Sequence, residues 1–291
     1  MIKSMTGYGI ASRDFQNAKY TVEIKSLNSK FLELALKLPK AFSDKELILR
    51  NECSKQIERG KVNITFTIEY ADLEKKTASI DKELLKLYYG QLKASADELE
   101  DNGTNLLSLA LNFPEVIRYD EETVTEEEWQ ELFTTFSQAM SEFQKFRIDE
   151  GNVLQKDLVL RINNILNSLK LVEEQDPKRI PVIRERLSQL LDEYVGKENT
   201  DANRLEQELI FYIDKLDITE EKIRLKSHCD YFLEALKSSD ANGKKLGFIS
   251  QEIGREINTM GSKANDAQIQ QTVVRMKEEL EKIKEQLLNV L

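Results

Sequence analysis

The hydrophobic period of this chain changes once, and that change constrains the fold more than any other feature. Three early segments alternate strictly: Tyr20, Val22 and Ile24; Leu32, Leu34, Leu36 and Leu38; then Val62, Ile64, Phe66, Ile68 and Tyr70. Polar residues such as Glu23, Lys25, Glu33, Lys37, Lys61, Asn63, Thr65 and Thr67 fill the gaps. A period of two sends successive side chains to opposite faces, so each segment reads as a half-buried strand with one wet face. From Asp81 the period becomes 3.6, and from Thr125 to the end it rarely breaks. The expected class is α+β: an N-terminal mostly antiparallel sheet with a packed helix, followed by a long, predominantly α-helical body that ends in a helical hairpin.

Finer expectations follow from local signals. Residues 1–13 are expected to add another strand. Ser43 and Glu46 have the spacing of a capping box, which predicts a helix running from there to about Arg59 and Gly60. Gly151, Pro177, Pro181, Gly196, Gly243 and Gly261 are expected to divide the later residues into separate helices. In the last of these, Ile269, Val273, Met276, Leu280, Ile283 and Leu287 step alternately by four and three, the seam of helix-on-helix packing. Gly261 is expected to close one helix in a left-handed conformation, and Asn265 or Asp266 to cap the next. The expected domains are 1–150, with a β-rich head over 1–75; 151–204, long connecting helices; and 205–291, a C-terminal helical domain.

The charge sum is −10, which on its face argues against a nucleic-acid binder. Its distribution argues otherwise. Residues 1–70 carry 12 Lys and Arg against 8 Asp and Glu, so the head is basic and the remainder acidic. Between residues 94 and 133, Asp97, Glu98, Glu100, Asp101, Glu115, residues 120–122, Glu126, Glu127, Glu128 and Glu131 face only Arg118, a run that reads as a solvated face. The start lacks the apolar core of a signal peptide, and no run of about 18 apolar residues occurs, so a cytoplasmic protein with no membrane partner is expected. Cys53 and Cys229 lack metal or redox spacing and are expected to be buried, reduced thiols.

Familiar catalytic signatures are missing: there is no P-loop, no GxGxxG, no HExxH and no GxSxG. With a single His, one chain cannot build a multi-histidine metal site. What remains is carboxylate, Arg and His228 chemistry. Asp217, Glu221, Arg224 and His228 are separated by four, three and four, so on a helix they form one polar stripe. Ile218, Leu225, Cys229, Phe232 and Leu236 form an apolar stripe about 100° away. A polar stripe bordering a core suits a structural ion-pair ladder or a set of partly desolvated catalytic groups. Further on, Leu246, Ile249, Ile253, Ile257 and Met260 make a core stripe that leaves Glu252, Arg255, Glu256 and Thr259 pointing elsewhere. This second cluster reads either as a well-capped helical hairpin or as a place where Ser262 and Lys263 meet a phosphate and carboxylates meet a divalent ion, which prefers oxygen ligands.

At these residues the sequence resembles the YicC/YloC family of bacterial proteins. The family's C-terminal signature is close to GKxLDFLxQExNRExNTxGSKAxD, and residues 243–266 here read GKKLGFISQEIGREINTMGSKAND. Support comes from Asp217, Ile218, Glu220, Glu221, Arg224, Leu225, Ser227 and His228, and from Arg147, Glu150 and Gly151. At the start, Ser4-Met5-Thr6-Gly7-Tyr8-Gly9 and the stretch 23–32, EIKSLNSKFL, also match. Two departures stand out: Gly247 replaces the usual Asp and Gly254 the usual Asn. The resemblance implies an endoribonuclease that acts on single-stranded RNA, depends on a divalent cation, assembles as a ring-like homohexamer and takes part in small-RNA turnover. It also implies YicC-like N-terminal and C-terminal domains at the two ends of the chain.

The expectation that follows is phosphodiester cleavage in RNA. Glu252, Glu256, Glu221 and His228 are the candidate catalytic groups, and Asp217, Glu221, Glu252 and Glu256 the candidate ligands of Mg²⁺ or Mn²⁺. Arg224, Arg255 and Lys263 would neutralise phosphates. Lys25, Asn28 and Lys30 on the basic head would track the RNA backbone, with Arg59 and Lys61 beside them. His228 has two readings, general acid/base or structural hydrogen bond. The competing function is a non-catalytic RNA-binding adaptor or oligomeric scaffold that delivers RNA to another nuclease.

Overall fold

The structure is a computed structural model that describes residues 2–70, 79–100, 102, 104–118, 124–194, 202–238 and 243–291. Gly196, Asp101 and residues 120–122 of the acidic run lie outside the described residues.

The alternating segments form one four-stranded sheet in the order β1 (Gly7–Phe15), β2 (Ala18–Leu27), β4 (Gly60–Tyr70), β3 (Leu32–Lys37). β1 pairs with β2, and β2 with β4, antiparallel, whereas β3 pairs with β4 in parallel. A parallel neighbour needs a crossover. Here it is α1 (Glu46–Gln56), entered through a 3-10 turn at Lys40–Lys45. The expected capping box does not form, because Ser43 sits in that turn and its hydroxyl donates to Lys40 O at 2.6 Å, while Glu46 holds Arg50. A reciprocal box forms instead at the next long helix: Thr125 N donates to Glu128 Oε2 at 2.9 Å and Glu128 N to Thr125 Oγ1 at 3.2 Å.

A short excursion follows β4. β5 (Ser79–Ile80) and β6 (Ile117–Arg118) form a two-stranded ribbon around α2 (Lys82–Glu98) and α3 (Leu106–Leu111). The chain then enters α4 (Glu126–Tyr194), 69 residues of uninterrupted helix and about 100 Å long at 1.5 Å per residue. α5 (Ala202–Leu216), α6 (Thr219–Lys237), α7 (Gly243–Ala264) and α8 (Ala267–Leu287) complete the body.

α4 serves both cores. Its first part places Trp129, Leu132, Phe136, Ala139, Met140 and Phe143 against Tyr20, Val22 and Ile24 of β2 and Val62, Ile64 and Phe66 of β4. Its middle places Leu158, Ile162, Ile165, Leu169 and Val172 against α6, α7 and the α8 seam predicted from the four-three spacing. Gly9 explains how closely sheet and helix meet: a Cβ there would stand 2.3 Å from Ala139 O. Gly151 does not break the helix either. It lets the N-terminal segment cross, since a Cβ would lie 2.2 Å from Ile2 O.

Pro177 and Pro181 also fail to end α4. Each removes an N–H and costs about 3 kcal/mol in an isolated helix interior. Arg179, between them and only 5% exposed, anchors the turn. Its Nε meets Asp176 at 2.6 Å, Nη1 donates to Ala264 O at 3.0 Å and Nη2 to Leu216 O at 2.5 Å. Two helix C-terminal carbonyls thus find their donor in one guanidinium. Gly261 lies inside α7, and the left-handed residue is Asn265 at φ 42°, followed by Asp266 capping α8 through Gln268 N and Ile269 N.

The chain ends close the head onto the body. Ser4 bridges Val290, Met5 N donates to Asn289 O at 2.8 Å and Leu291 N to Lys3 O at 3.0 Å. Cys53 and Cys229 are free and buried, and burial pushes their thiols up to about 11 and about 12 respectively, so both stay protonated and inert at neutral pH. Among the described residues no helix is long and apolar enough to cross a membrane.

Candidate active site

α6 and α7 are consecutive helices packed as an antiparallel pair, and the ion pair between the start of one and the end of the other sets their register. Lys263 Nζ donates to Glu221 Oε1 at 2.8 Å. Glu221 is only 4% exposed, and its Oε2 is buried with no hydrogen-bond partner. The residue therefore occupies the core row with Ile218, Leu225 and Cys229, not the polar stripe assigned from spacing. The reason is its partner, 42 residues away in sequence, which neutralises a carboxylate in an apolar row. Glu221 in turn raises the pKa of Lys263.

Two turns along the same seam stand His228 and Glu256. His228 lies seven residues after Glu221, and Glu256 seven residues before Lys263, so each shares a face with its helix-mate. The two are therefore level, about 10 Å from the Glu221–Lys263 pair. Glu256 is 5% exposed, a second departure from the expectation that it points away from the core, and His228 is half-buried. Neither makes a side-chain hydrogen bond or ion pair with another described residue. The Glu221–Lys263 level is joined across the seam by an ion pair, and the His228–Glu256 level is not.

The remaining candidates surround this seam without joining it. Asp217 precedes α6 and accepts from Thr219 N at 3.0 Å and Thr219 Oγ1 at 2.6 Å, bonds that hold its carboxyl below the usual range. Arg224 is exposed and paired with Glu220 one turn back. Arg255 is 73% exposed and 3.9 Å from Glu252, so it remains available to an anion. Asp217, Glu221, Glu252 and Glu256 do not form one ligand set. Among the described residues no three His, Cys, Asp or Glu side chains come together in a way that could hold a metal ion. Among the described residues the four candidate carboxylates therefore do not fit a divalent ion as one ligand set.

Asp176 and Arg179 are the residues that sequence reasoning missed. Asp176 receives Lys222 Nζ at 2.5 Å as well as Arg179, tying α4 to the first turn of α6. With Ile210, Asp214, Asp217 and Thr219 they line an open cleft of about 330 Å³. Their only sequence signal is an Asp and an Arg three apart around a proline that looks like a helix stop.

On the head, Asn28 Nδ2 donates to Leu288 O at 2.7 Å and Arg59 Nη2 to Val290 O at 2.6 Å, so both bind the C-terminal tail. The early motif does similar work: Thr6 Oγ1 donates to Glu150 Oε2 at 2.8 Å, and buried Arg147 Nε to Ser4 O at 2.7 Å. Lys25 contacts Glu23 at 2.7 Å, and Lys30 lies 5.5 Å over the Phe31 ring.

Comparison with known proteins bears on the whole length. The family description "Endoribonuclease YicC-like, N-terminal region" matches residues 2–156, and "Endoribonuclease YicC-like, C-terminal" matches residues 172–291. A protein of Clostridioides difficile (strain 630) named "Probable endoribonuclease YicC" is 30% identical over 292 residues, covering all of both chains. One of the same name from Haemophilus influenzae is 32% identical over 295 residues, again covering both completely. Matched at both ends by the family's two halves and end to end by these relatives, the chain belongs to the YicC-like endoribonuclease family.

Proposed function

We propose that the protein cleaves phosphodiester bonds within single-stranded RNA, with His228 at the α6–α7 seam as its proton-transfer group and Glu256 as the carboxylate that positions it. The observation that carries this reading is their shared level on facing helices, half-buried and buried, without partners among the described residues. Histidine is the side chain whose ordinary pKa lies nearest neutral pH, so it suits a group that takes a proton and returns it. RNA carries its own nucleophile. In the proposed route His228 removes the 2′-OH proton, the 2′-oxygen attacks the adjacent phosphorus, and the bond from phosphorus to the 5′-oxygen breaks as that oxygen takes a proton from water, producing a 2′,3′-cyclic phosphate and a 5′-OH while the imidazolium returns its proton to solvent. Glu256 orients the imidazole and stabilises its cationic form. Arg255 and Arg224, both exposed, meet the phosphate charge. Lys263 is committed to Glu221 and serves the seam's register.

The experiment is cleavage of a defined single-stranded RNA by rigorously purified protein beside H228Q and E256Q. Both variants are expected to lose cleavage and keep binding, and the wild-type products to end in cyclic phosphate. Equal cutting by all three would remove the seam from the chemistry and leave the adaptor reading; products ending in 3′-OH would overturn the 2′-OH route.

The homo-oligomer belongs to the same proposal. Val182, Ile210, Phe211 and Tyr194, at the far end of α4 and on α5, expose 58–78% of their surfaces, an apolar arm suited to a second copy. Light scattering is expected to show a hexamer that Phe211→Asp reduces in mass; a wild-type monomer would contradict it. Small-RNA turnover is the cellular role that fits this activity.

A further inference from the structure

We propose that the open face of the head's sheet is a track for single-stranded RNA, with Tyr8 and Phe31 as base-stacking positions and Lys25, Lys30 and Lys61 as phosphate contacts. The proposal rests on the RNA reading above, and concerns where the substrate is held, not where it is cut.

The sheet has two unlike faces. Tyr20, Val22, Ile24, Val62, Ile64 and Phe66 point into the core beneath α4. The opposite face is exposed or half-exposed at every position along β1, β2, β4 and β3. Register aligns its rows: Tyr8 pairs with Lys25 and Lys25 with Asn63, while Leu27 pairs with Lys61 and Lys61 with Glu33. Adjacent strands stand about 4.8 Å apart, so each row presents side chains at close, regular spacing.

Three properties of this face point to a single nucleic-acid strand. Large side chains stand in water on it or at its rim: Tyr8 is 39% exposed, Leu27 61% and Phe31 69%. These are not fused into an apolar patch of the kind a protein partner needs, because Lys25, Lys61, Asn63 and Thr65 separate them. Next, two of the three cations are uncommitted. Lys30 and Lys61 have no carboxylate partner among the described residues, and Lys25 has only Glu23, which it shares with the Tyr8 hydroxyl. Finally, aromatic and cation already sit together, Lys25 Nζ lying 5.8 Å from the Tyr8 ring centroid and Lys30 Nζ 5.5 Å from that of Phe31. Stacking surfaces interleaved with Lys are what a single strand uses, since its bases are free to leave one another and its phosphates need counter-charge. The track keeps to this end of the sheet. At the other end Asp14 and Glu69 flank Lys19 in one row and would repel phosphate.

The test measures binding alone, so that it stands or falls apart from the seam. Full-length protein is titrated into a fluorescent, uncleavable 2′-O-methyl oligouridine and into a duplex of the same length, over a range of salt. The double variant K25Q/K61Q is expected to reduce the slope of log affinity against log salt by about 1.4, at about 0.7 per single-strand phosphate contact. Tyr8→Ala and Phe31→Ala are each expected to weaken single-strand binding about tenfold, with Tyr8→Phe retaining it. Thermal melting verifies that each variant is folded, and Tyr8→Phe with K25Q/K61Q decides the matter if an alanine variant is not. An unchanged slope and affinity, or equal losses on the duplex, would overturn the track. So would a fall in oligomer mass in the lysine variant, which would give the face to a second copy. If H228Q and E256Q still cut while these effects hold, the seam fails and the track stands.

Discussion

The cations that join the helices of the body to one another are paired, whereas most of those on the head's open face have no carboxylate partner among the described residues. Arg179 fastens the ends of α5 and α7, Lys222 meets Asp176, Lys263 meets Glu221, and Arg161 meets Glu279. On the head, Lys19, Lys30, Lys37 and Lys61 have no carboxylate partner among the described residues. The same residue types therefore do different work. Charges held among helices position a seam, whereas charges left in water are available to a polyanion. The contrast is what the proposed RNA track requires of an acidic chain: its net charge of −10 says little about where the uncommitted cations are.

If this contrast is right, removing a cation that joins helices of the body costs stability and removing one from the head's open face does not. Arg179→Met carries the largest expected effect, about 4 kcal/mol in denaturant unfolding, because two helix-end carbonyls lose a buried donor and Asp176 loses a partner. A loss below about 1 kcal/mol would mean that these helix ends are held by packing alone.

Glu279 gives the next effect and makes it pH-dependent. Burial raises its pKa, but hydrogen bonds from Lys282, Asn164 and Arg161 outweigh that and bring it down to about 2. A depressed carboxylate contributes stability that is complete above its unfolded value near 4.5 and is lost as pH falls toward 2. The side chain is 15% exposed, so about 2 to 3 kcal/mol should disappear across that window in the wild type and not in Glu279→Gln. Parallel acid-unfolding curves for the two proteins would contradict it.

Lys263→Met is expected to cost about 1 to 2 kcal/mol, less than a fully buried pair because the lysine is 35% exposed. Denaturant unfolding reads that loss, and an unchanged stability would show that the pair does not set the seam. Lys30→Gln and Lys61→Gln should change the melting temperature by no more than about 2 °C. A larger drop would erase the difference between head and body.

Much of this architecture is legible in the residues, and the exceptions share a cause. The period-two segments form β2, β3 and β4, and the four-three row of α8 is buried throughout, because each pattern is local and its partner surface is generic. The continuity of α4 is not local. Gly151 is there to let Ile2 pass and the prolines are tolerated because Arg179 reaches two other helices, facts settled by segments distant in sequence. Periodicity sorts residues by type and so puts Glu221 and Glu256 on polar faces, yet both are buried. Lys263 accounts for the first. Asn28, expected from the sequence to contact RNA, donates to the chain's own tail, a contact with a residue 260 positions away.

The central claim, that the head holds RNA and the α6–α7 seam cuts it, is tested most directly by single-turnover cleavage of a labelled single-stranded RNA over a range of enzyme concentrations, comparing wild type, E256Q and K25Q/K61Q. The account predicts that E256Q binds with wild-type affinity but is slower at saturation by about 10³, the order expected when a catalytic histidine loses its carboxylate partner, while K25Q/K61Q needs more enzyme to saturate yet reaches the wild-type rate. A lowered saturating rate in K25Q/K61Q, or lost affinity with an unchanged rate in E256Q, would contradict it.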